Sequence, residues 1–275
     1  MPEDFNQKVI EEFRANRGRV GGYFEGARLL LLTTTGARSG KRHTVPLGYL
    51  PDGDRVLVIG SAGGAPRHPA WFHNLVADPR ATVEDGVFTY EAQAEVLAGE
   101  ERDRVFARAV EFDPGWGEYQ ARTTRVLPVV ALKQVGGGPP AFGSWAEAVK
   151  GVHEAFRREL SLIREEITRS GPGLGAQLRI NCLTLCQGLR NHHTGEDVAL
   201  FPFIADRYPE VKPVLDRLAL EHERIAALLA DLHRVTSEGD TGPEALRVEV
   251  ERLAGELERH LAYEEEQLVP LLEVG

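Results

Sequence analysis

Two stretches of this sequence repeat each other, and this repeat constrains the fold more strongly than any other feature. The two copies are HHTGEDVALFP at 192–202 and HLAYEEEQLVP at 260–270. His192 and Glu196 in the first copy correspond to His260 and Glu264 in the second. Residues four apart project from nearly the same face of a helix, so each copy directs one imidazole and one carboxylate to the same side.

A second pair of segments repeats with nearly the same spacing. These segments are VHEAF at 152–156 and EHERI at 221–225. Each places a histidine directly before a glutamate, at His153 and at His222. This part of the chain is therefore interpreted as a duplicated two-helix unit, in which each unit supplies one lone histidine and one His-x3-Glu motif.

The hydrophobic pattern after residue 144 predicts four helices, separated by segments rich in glycine, proline or polar residues. The helices are expected at about 144–169, 174–207, 210–236 and 243–273, and the separating segments are SGPGLG (170–175), RYPE (207–210) and SEGDTGP (237–243). Four long helices with short connections form an antiparallel bundle, whose interior can receive metal ligands from facing helices.

The duplicated motifs predict a metal centre with two ions. A single His-x3-Glu motif is more often an ordinary polar helix face, but here the motif is doubled and two further histidines occur at matching positions. Imidazole suits iron, and a carboxylate can bridge two cations. The candidate ligands are four histidines and two glutamates: His153, His192, Glu196, His222, His260 and Glu264.

With these residues, segment 144–275 resembles the hemerythrin-like HHE cation-binding family, which implies a four-helix bundle around a non-haem di-iron centre with these six side chains as ligands. The sequence departs from the oxygen-carrying hemerythrins in the third helix, where those proteins supply a second histidine. The positions four away from His222 are Leu218 and Ala226. One coordination position is thus left for water or for one of three side chains: His193, Asp197 or Glu223.

The segment VGGGPPAFGS (135–144) separates the bundle from a half with a different pattern, because its glycines and prolines disfavour continued helix or strand. We expect a first domain over 1–136, a linker over 137–143 and the bundle over 144–275. Aliphatic and β-branched runs predict strands at 28–36, 43–50, 54–62, 81–97 and 125–135, with helices at 3–17, 69–77 and 99–112. Mostly antiparallel strands with helical inserts indicate a small β-barrel, so the expected fold class is α+β with two domains.

Two runs in the N-terminal half are suited to binding an anionic ligand. TTTGARSGKRHTVPLGYL (33–50) places positive charge in a glycine-containing turn that can hold phosphate or carboxylate groups, although such basic turns are often only solvated surface. IGSAGGAPRHPAWFHNLVADP (59–79) follows a strand with a glycine loop and begins a helix at Pro69, so its backbone can approach a flat or anionic ligand closely. Trp71 and Phe72 are either core residues or a platform for that ligand.

Together with ERDRVFARAVEFDPGWGEYQARTTRVLPVVAL (101–132), these runs resemble the deazaflavin-dependent nitroreductase family over about 15–135. The resemblance implies a split β-barrel that binds the reduced deazaflavin coenzyme F420, with Tyr119 near the substrate. It also implies two sets of coenzyme contacts: Arg38, Ser39, Lys41 and Arg42 for the phosphate and glutamate tail, and Ser61, Ala62, Gly63, Gly64 and Trp71 for the deazaflavin ring. The family often carries Arg or Lys where Ala37 and Ala62 stand in this sequence.

Composition argues against several other classes of protein. The net charge of −10, with the acidic residues concentrated in the C-terminal half, is unfavourable for nucleic-acid binding and suits a cation-binding module. No apolar run is long enough to span a membrane, and the acidic N-terminus is unlike a signal peptide, so a cytoplasmic protein is expected. Cys182 and Cys186 face one side of a helix and are expected to be small buried apolar residues rather than a redox pair.

The two resemblances together predict an enzyme. It would transfer reducing equivalents from F420H2 to a small organic acceptor, or use them in oxygen, peroxide or nitric oxide chemistry at a di-iron site, with Tyr119 available to protonate a reduced product. In an alternative reading, the bundle senses or stores iron, oxygen or nitric oxide and regulates a quinone or nitro-compound reductase. A third reading makes the bundle purely structural. Barrels of this kind often dimerise, so a homodimer is also allowed.

Overall fold

The computed structural model describes residues 3–140, 142–170, 173–237 and 242–273. Parts of three predicted segments lie outside the described residues: residue 141 of the linker, and 171–172 and 238–241 between predicted helices. The chain divides into two compact units, of which one contains residues 1–141 with 175–177 and the other contains 142–174 with 178–275.

Six antiparallel strands form a closed barrel in the first unit. Their bounds are β1 Leu29–Thr35, β2 Arg42–Asp52, β3 Arg55–Ile59, β4 Arg80–Glu84, β5 Phe88–Val96 and β6 Val129–Pro140. The strand order is β1-β2-β3-β6-β5-β4, and β4 pairs with β1 to close the barrel. The predicted β-barrel and the α+β fold class are therefore confirmed.

The run of four leucines in β1 is explained by burial on both faces of the strand. Side chains alternate between the two faces of a strand, so Leu30 and Leu32 pack in the barrel interior. Leu29 and Leu31 point the other way and pack against Phe13. Phe13 belongs to the first helix of the chain, so that helix covers the outer face of β1.

Two strand predictions were wrong in their extent. The run 81–97 is divided into β4 and β5 by a turn in which Asp85 Oδ1 accepts hydrogen bonds from the backbone N–H groups of Val87 and Phe88 at 2.9 and 2.8 Å. Strand β6 continues to Pro140, through residues predicted to be a linker, because it pairs with β5 across two irregularities in register. Glycine is compatible with such bulged pairing, which the composition of the segment alone does not reveal.

Four helices accompany the barrel strands in the described part of this unit: α1 Glu3–Ala15, α2 Ala70–Ala77, α3 Gly99–Phe112 and α4 Gly115–Ala121. Three of them were predicted, but α4 was not. Its sequence GWGEYQA contains two glycines, which are poor helix formers, so the local pattern gives no clear helix signal. The backbone N–H of Gly115 donates to Asp113 Oδ1 at 2.9 Å, which satisfies a free donor at the start of this helix.

The second unit is a helical bundle, as predicted. Its helices are α5 Trp145–Arg169, α6 Ala176–Gly195, α7 Phe201–Arg207, α8 Lys212–Ser237 and α9 Pro243–Glu273. One core takes buried side chains from all four long helices, among them Ile163, Leu189, Ile225 and Leu257. Cys182 and Cys186 are buried members of that core, as the sequence predicted.

The predicted second helix, 174–207, is interrupted by one wide turn. Residues Glu196–Leu200 form a π-helical turn between α6 and α7, in which the N–H of Phe201 bonds to the carbonyl of Glu196. Single π-turns occur frequently at functional sites. Among the described residues, no helix is both long enough and apolar enough to cross a membrane.

Candidate functional sites

Five histidines and two glutamates converge in the interior of the bundle. They are His153 (α5), His192 and His193 (α6), Glu196 (π-turn), His222 (α8), and His260 and Glu264 (α9). His192 retains a little exposure, and the other six side chains are buried. The structure thus brings the six ligands predicted from the sequence to one place, together with His193.

The ligand atoms of these residues form two groups. His193, His222 and His260 make up one group, and the other is made up of two histidines with both glutamates: His153, His192, Glu196 and Glu264. Within each group the nitrogen and oxygen atoms lie within 4.8 Å of one another. Two adjacent groups of imidazole and carboxylate donors can hold a pair of transition-metal ions.

Each glutamate reaches from one group to the other. Oε1 of Glu196 lies 3.2 Å from Nε2 of His192, and its Oε2 lies 3.6 Å from Nε2 of His222. Oε2 of Glu264 lies 3.5 Å from Nε2 of both His153 and His260. Both carboxylates therefore lie between the two groups and would hold a metal pair together with their imidazoles.

The donor atoms at the centre of this site are buried and lack hydrogen-bond partners among the described residues. They are Nε2 of each of the five histidines and both carboxylate oxygens of Glu196 and Glu264. Leaving a buried polar group without a partner costs roughly 1–3 kcal/mol, so such groups are rare in folded proteins. Five nitrogens and four oxygens directed at one region would all be satisfied by cations. The residues present therefore fit a two-metal centre.

Carboxylates on neighbouring helices hold three of the imidazole rings through their other nitrogen. The pairs are His153 Nδ1 with Glu265 Oε1 at 2.9 Å, His222 Nδ1 with Asp197 Oδ1 at 2.8 Å, and His260 Nδ1 with Glu221 Oε2 at 3.1 Å. Two of these carboxylates also accept from an arginine, since Arg157 donates to Glu265 and Arg217 donates to Glu221, each at 2.8 Å. Such carboxylate partners fix the tautomer that leaves Nε2 free for a metal.

Burial shifts the pKa of several of the donor groups. It lowers the pKa of His192 to about 3 and that of His260 to about 4, with neighbouring histidines adding to the effect. Burial and the adjacent imidazoles lower the pKa of His193 further still. These rings are neutral at pH 7, which is the form that binds a metal. Burial, and then the charge of Glu264, raises the pKa of Glu196 well above its ordinary value, so protons compete with cations there.

The three residues proposed for the open coordination position differ in placement. His193 directs Nε2 into the site, whereas Asp197 contacts the far nitrogen of His222 and Glu223 is exposed. The helical geometry of the sequence contains a signal for His193. At about 100° per residue, Glu196 lies about 40° and His193 about 100° around the helix from His192, so the carboxylate falls between the two rings.

A cavity of about 1140 Å³ lies beside the basic turn of the barrel unit. Arg38, Ser39, Arg42 and Trp71, four of the predicted coenzyme contacts, line it. The lining also contains cationic or imidazole side chains from other segments: Arg14, His43, Arg67, His68, His73 and Arg125. Positive charge around a cavity of this size suits an anionic organic ligand. Trp71 lines the cavity, and its buried ring also packs in the barrel core.

Asn74 of α2 fixes the position of the basic turn. Its Oδ1 accepts a hydrogen bond from the N–H of Ala37 at 3.0 Å, and its Nδ2 donates to Thr34 Oγ1 at 3.0 Å. The Asn74 side chain is buried, so these bonds are protected from water. The turn is thereby tied to the helix that carries Trp71.

The remaining predicted coenzyme contacts do not line this cavity. They are Lys41 and four residues of the glycine loop: Ser61, Ala62, Gly63 and Gly64. The loop has left-handed backbone at three successive residues, with φ of +48° at Ala62, +64° at Gly63 and +82° at Gly64. Left-handed conformation costs roughly 1–2 kcal/mol for a residue with a side chain, so Ala62 is strained.

Arg125, which the sequence did not single out, supports this loop. Its guanidinium donates to the carbonyl oxygens of Gly60 at 3.0 Å, Ser61 at 2.6 Å and Ala65 at 2.8 Å. Hydrogen bonds from a charged donor are stronger than neutral ones, which helps to hold a strained backbone in place. Arg125 also lines the cavity, so it connects the loop to the cavity wall.

Tyr119 lies next to the glycine loop. Its carbonyl oxygen would be 3.0 Å from a Cβ atom placed on Gly64, and its ring packs edge-on against Trp116. A hydrogen bond with Tyr23, followed by burial, raises the pKa of Tyr119. The cavity lining does not include Tyr119, and its catalytic role stays a prediction.

Comparison with known proteins agrees with both resemblances. Residues 6–134 match the family described as F420H(2)-dependent quinone reductase, and residues 146–272 match the family described as hemerythrin HHE cation binding domain. Coenzyme F420 and a di-iron centre are the cofactors that these families imply. An F420H(2)-dependent quinone reductase of Mycobacterium tuberculosis is 37% identical over 124 residues, which make up 44% of this chain and 83% of that protein.

Two solved structures are also similar to the barrel part of the chain. A structure of an F420-H2 dependent reductase shares 39% identity, covers 38% of this chain and 94% of its own, and has a TM-score of 0.36. A second structure, described as a domain-swapped dimer, shares 34% identity, covers 47% and 95%, and has a TM-score of 0.38. Since the quinone reductase relative is matched over most of its length, the chain belongs to the F420H(2)-dependent quinone reductase family, and it carries a hemerythrin-like bundle after the reductase barrel.

Proposed function

We propose that this chain is an F420H2-dependent oxidoreductase that also holds a di-iron centre. Reducing equivalents would reach either a small organic acceptor of the quinone class or oxygen, peroxide or nitric oxide at the iron site. One observation carries the metal part of this proposal, namely the buried nitrogens and oxygens that lack partners among the described residues. A bundle interior with only a structural role would bear the cost of these unpaired groups without compensation.

The cavity residues supply binding and orientation for the coenzyme. Bound F420H2 supplies a hydride, which is chemistry of the coenzyme rather than of the protein. Arg38 and Arg42 present guanidinium groups, which suit bidentate contacts with phosphate or carboxylate oxygens. Trp71 contributes a buried aromatic surface at the cavity wall, where a flat ring system can pack.

The bundle residues supply a donor set of mixed type. Two iron ions, when bound, exchange single electrons and coordinate small ligands. His153 and His192 with either one of the two glutamates would give the two-histidine, one-carboxylate donor set with open positions that non-haem iron oxygenases use. A small ligand such as oxygen or nitric oxide is therefore expected on this side of the centre. Phe156, whose ring lies 5.2 Å from that of His192, makes its surroundings apolar.

Metal analysis tests the first part of the proposal. Protein purified after growth with added iron, or reconstituted anaerobically, is expected to contain two iron ions per chain. The double variant His192→Ala/His260→Ala removes one imidazole from each group and is expected to lose the iron. His233→Ala is the matched control, because His233 is an exposed histidine of the same bundle. Fewer than two ions in the unmodified protein, under both conditions, would contradict the site.

Anaerobic mixing with F420H2 tests the second part. The bound iron is first oxidised to the ferric state, so that two ferric ions can take up the two electrons of one hydride. Coenzyme oxidation and the absorption of the iron centre are then recorded together, without any other acceptor. If the sites are coupled, the iron spectrum changes as the coenzyme is oxidised, and the double variant oxidises less coenzyme. An unchanged iron spectrum, with equal coenzyme oxidation by the double variant, would contradict electron transfer between the two sites.

The second candidate is a binding module that senses iron, oxygen or nitric oxide and regulates a quinone reductase. It is favoured by one observation: all seven converging side chains belong to the bundle unit, and all residues lining the cavity belong to the barrel unit. Neither set of residues includes a side chain from the other unit. In this case F420H2 leaves the iron spectrum unchanged, while a quinone is reduced at a rate that depends on the ligand state of the iron.

A further inference from the structure

The duplication seen in the sequence extends to the hydrogen bonds around the site. Asp197 and Glu265 stand at corresponding positions, directly after Glu196 and Glu264. Asp197 contacts Nδ1 of His222, and Glu265 makes the same contact with Nδ1 of His153. The two halves of the bundle are thus related by an approximate two-fold repeat of side-chain roles as well as of residue types.

The repeat fails at the position directly after each paired histidine. His193 follows His192 in the first copy, whereas Leu261 follows His260 in the second. His193 directs a buried Nε2, without a hydrogen-bond partner in the described chain, toward the metal site. Leu261 is fully buried in the apolar core of the bundle. One copy therefore has an imidazole donor where the other has only a hydrocarbon side chain.

The placement of His193 assigns it to one group of donors only. Its ring is stacked on that of His222 with centroids 4.2 Å apart, and its ligand atom is grouped within 4.8 Å with those of His222 and His260, in a group that does not contain His153 or His192. The repeat exchanges His222 with His153 and His260 with His192. A histidine at position 261 would accordingly join His153 and His192, and leucine at that position leaves their group with two imidazoles.

We propose that His193 is a metal ligand, and that it makes the two metal positions unequal. The position next to His222 and His260 receives three imidazoles, while the position next to His153 and His192 receives two. Of the three imidazoles at the first position, those of His222 and His260 belong to the repeated segments. The third, that of His193, stands where the repeat is broken. The inference rests on the proposed di-iron centre. It takes the additional imidazole from the second helix of the bundle, whereas the oxygen-carrying hemerythrins take theirs from the third helix.

Substitution of His193 by leucine, the residue of the other copy, tests the inference. Ferrous iron is titrated anaerobically into the metal-free full-length protein, and Mössbauer spectra of the iron-57-loaded protein report whether the two ions are equivalent. We expect two ions with distinct spectra in the unmodified protein. In His193→Leu, one ion is expected to bind more weakly by at least roughly tenfold, the lower end of what loss of even an indirect contact to a metal ligand costs. His233→Leu should behave as the unmodified protein.

A second variant covers the case in which His193→Leu does not fold, as judged by circular dichroism of the metal-free protein. His193→Gln keeps a polar side chain and removes the imidazole, so it should change the spectrum of one ion and weaken its binding. Two ions bound with unchanged affinity and unchanged spectra in either folded variant would overturn the role of His193. Failure of the unmodified protein to bind two ions would instead overturn the di-iron centre itself.

Discussion

Nδ1 of His222 lies 2.8 Å from Oδ1 of Asp197. Asp197 directly follows Glu196, one of the two glutamates at the candidate metal site. A carboxylate can only accept a hydrogen bond, so the imidazole carries its proton on Nδ1 and keeps the lone pair of Nε2 free. Because Asp197 lies in the π-turn after α6 and His222 on α8, the wide turn sets the orientation of a ring on another helix.

Removing this carboxylate is expected to weaken metal binding without removing a ligand. In Asp197→Asn, the amide is a poorer partner for the ring, and we expect the affinity for iron to fall by roughly 10–100-fold. Titration with ferrous iron under anaerobic conditions measures the change. Glu223→Gln is the matched control because Glu223 is an exposed carboxylate close by in sequence, and equal losses in both variants would contradict the specific role of Asp197.

Removing the metal is expected to destabilise the bundle. A ligand that binds only the folded state adds about 2.7 kcal/mol at a free concentration one hundred times its Kd, which corresponds to roughly 5–10 °C in Tm for a domain of this size. Calorimetry of metal-free and iron-loaded protein measures the shift. Magnesium should have little effect, because it prefers oxygen donors to imidazole. Equal melting temperatures with and without iron would argue against the buried donors as a metal site.

Two adjacent glycines in the barrel unit should differ in their tolerance of alanine. A Cβ atom on Gly63 meets nothing within 4 Å, so Gly63→Ala costs only its left-handed backbone, roughly 1–2 kcal/mol. A Cβ atom on Gly64 would lie 2.7 Å from Cβ of Arg122 and 3.0 Å from the carbonyl of Tyr119. Gly64→Ala is therefore expected to lose about 1–3 kcal/mol more in the free energy of unfolding. Urea denaturation measures both, and equal losses would refute the close approach.

The arginines of the cavity should determine coenzyme affinity. Arg38→Ala removes a charged donor, and hydrogen bonds to charged groups contribute about 1.5–3 kcal/mol, so the Kd for F420 should rise by roughly 10–100-fold. Arg104→Ala changes the charge equally at an exposed position on α3 and should have no such effect. Fluorescence titration with F420 at two salt concentrations measures both. A loss that is the same in both variants would show a general charge effect instead.

The two thiols of the bundle should resist alkylation in the folded protein. Burial raises the pKa of Cys186 to about 11, so at pH 8 this residue is a thiol rather than the reactive thiolate. Cys182 is fully buried beside the same core. Labelling with iodoacetamide followed by mass spectrometry should find both sites unmodified before unfolding and modified afterwards. Rapid labelling of the native protein would contradict the burial.

The convergence of the candidate metal ligands could be predicted because their spacing expresses helix geometry directly. His192 and Glu196, like His260 and Glu264, are four residues apart, and their duplication makes the pattern specific. His193 remained one of three alternatives, because the sequence alone does not state which way the helix faces the bundle axis. The π-turn after it was not predictable, since its residues are also compatible with an ordinary helix.

The cavity was predictable only in part, for a different reason. The basic turn and Trp71 lie in short recognisable runs, whereas Asn74 and Arg125 act through contacts with residues distant in the chain. No local pattern marks an asparagine or an arginine as the support of a loop. The extension of β6 to Pro140 was missed for the same reason, because pairing with β5 outweighs the weak strand propensity of its glycines and prolines.

The distribution of the donors over the helices also bears on how metal enters and leaves. His193, His222 and His260 lie on α6, α8 and α9, so the group they form is incomplete until segments far apart in the chain have packed. Capture of an ion by this group would therefore require the packed bundle, and its escape would require a collective opening of the helices. Such openings are infrequent in a packed core, so a metal ion bound there would exchange slowly.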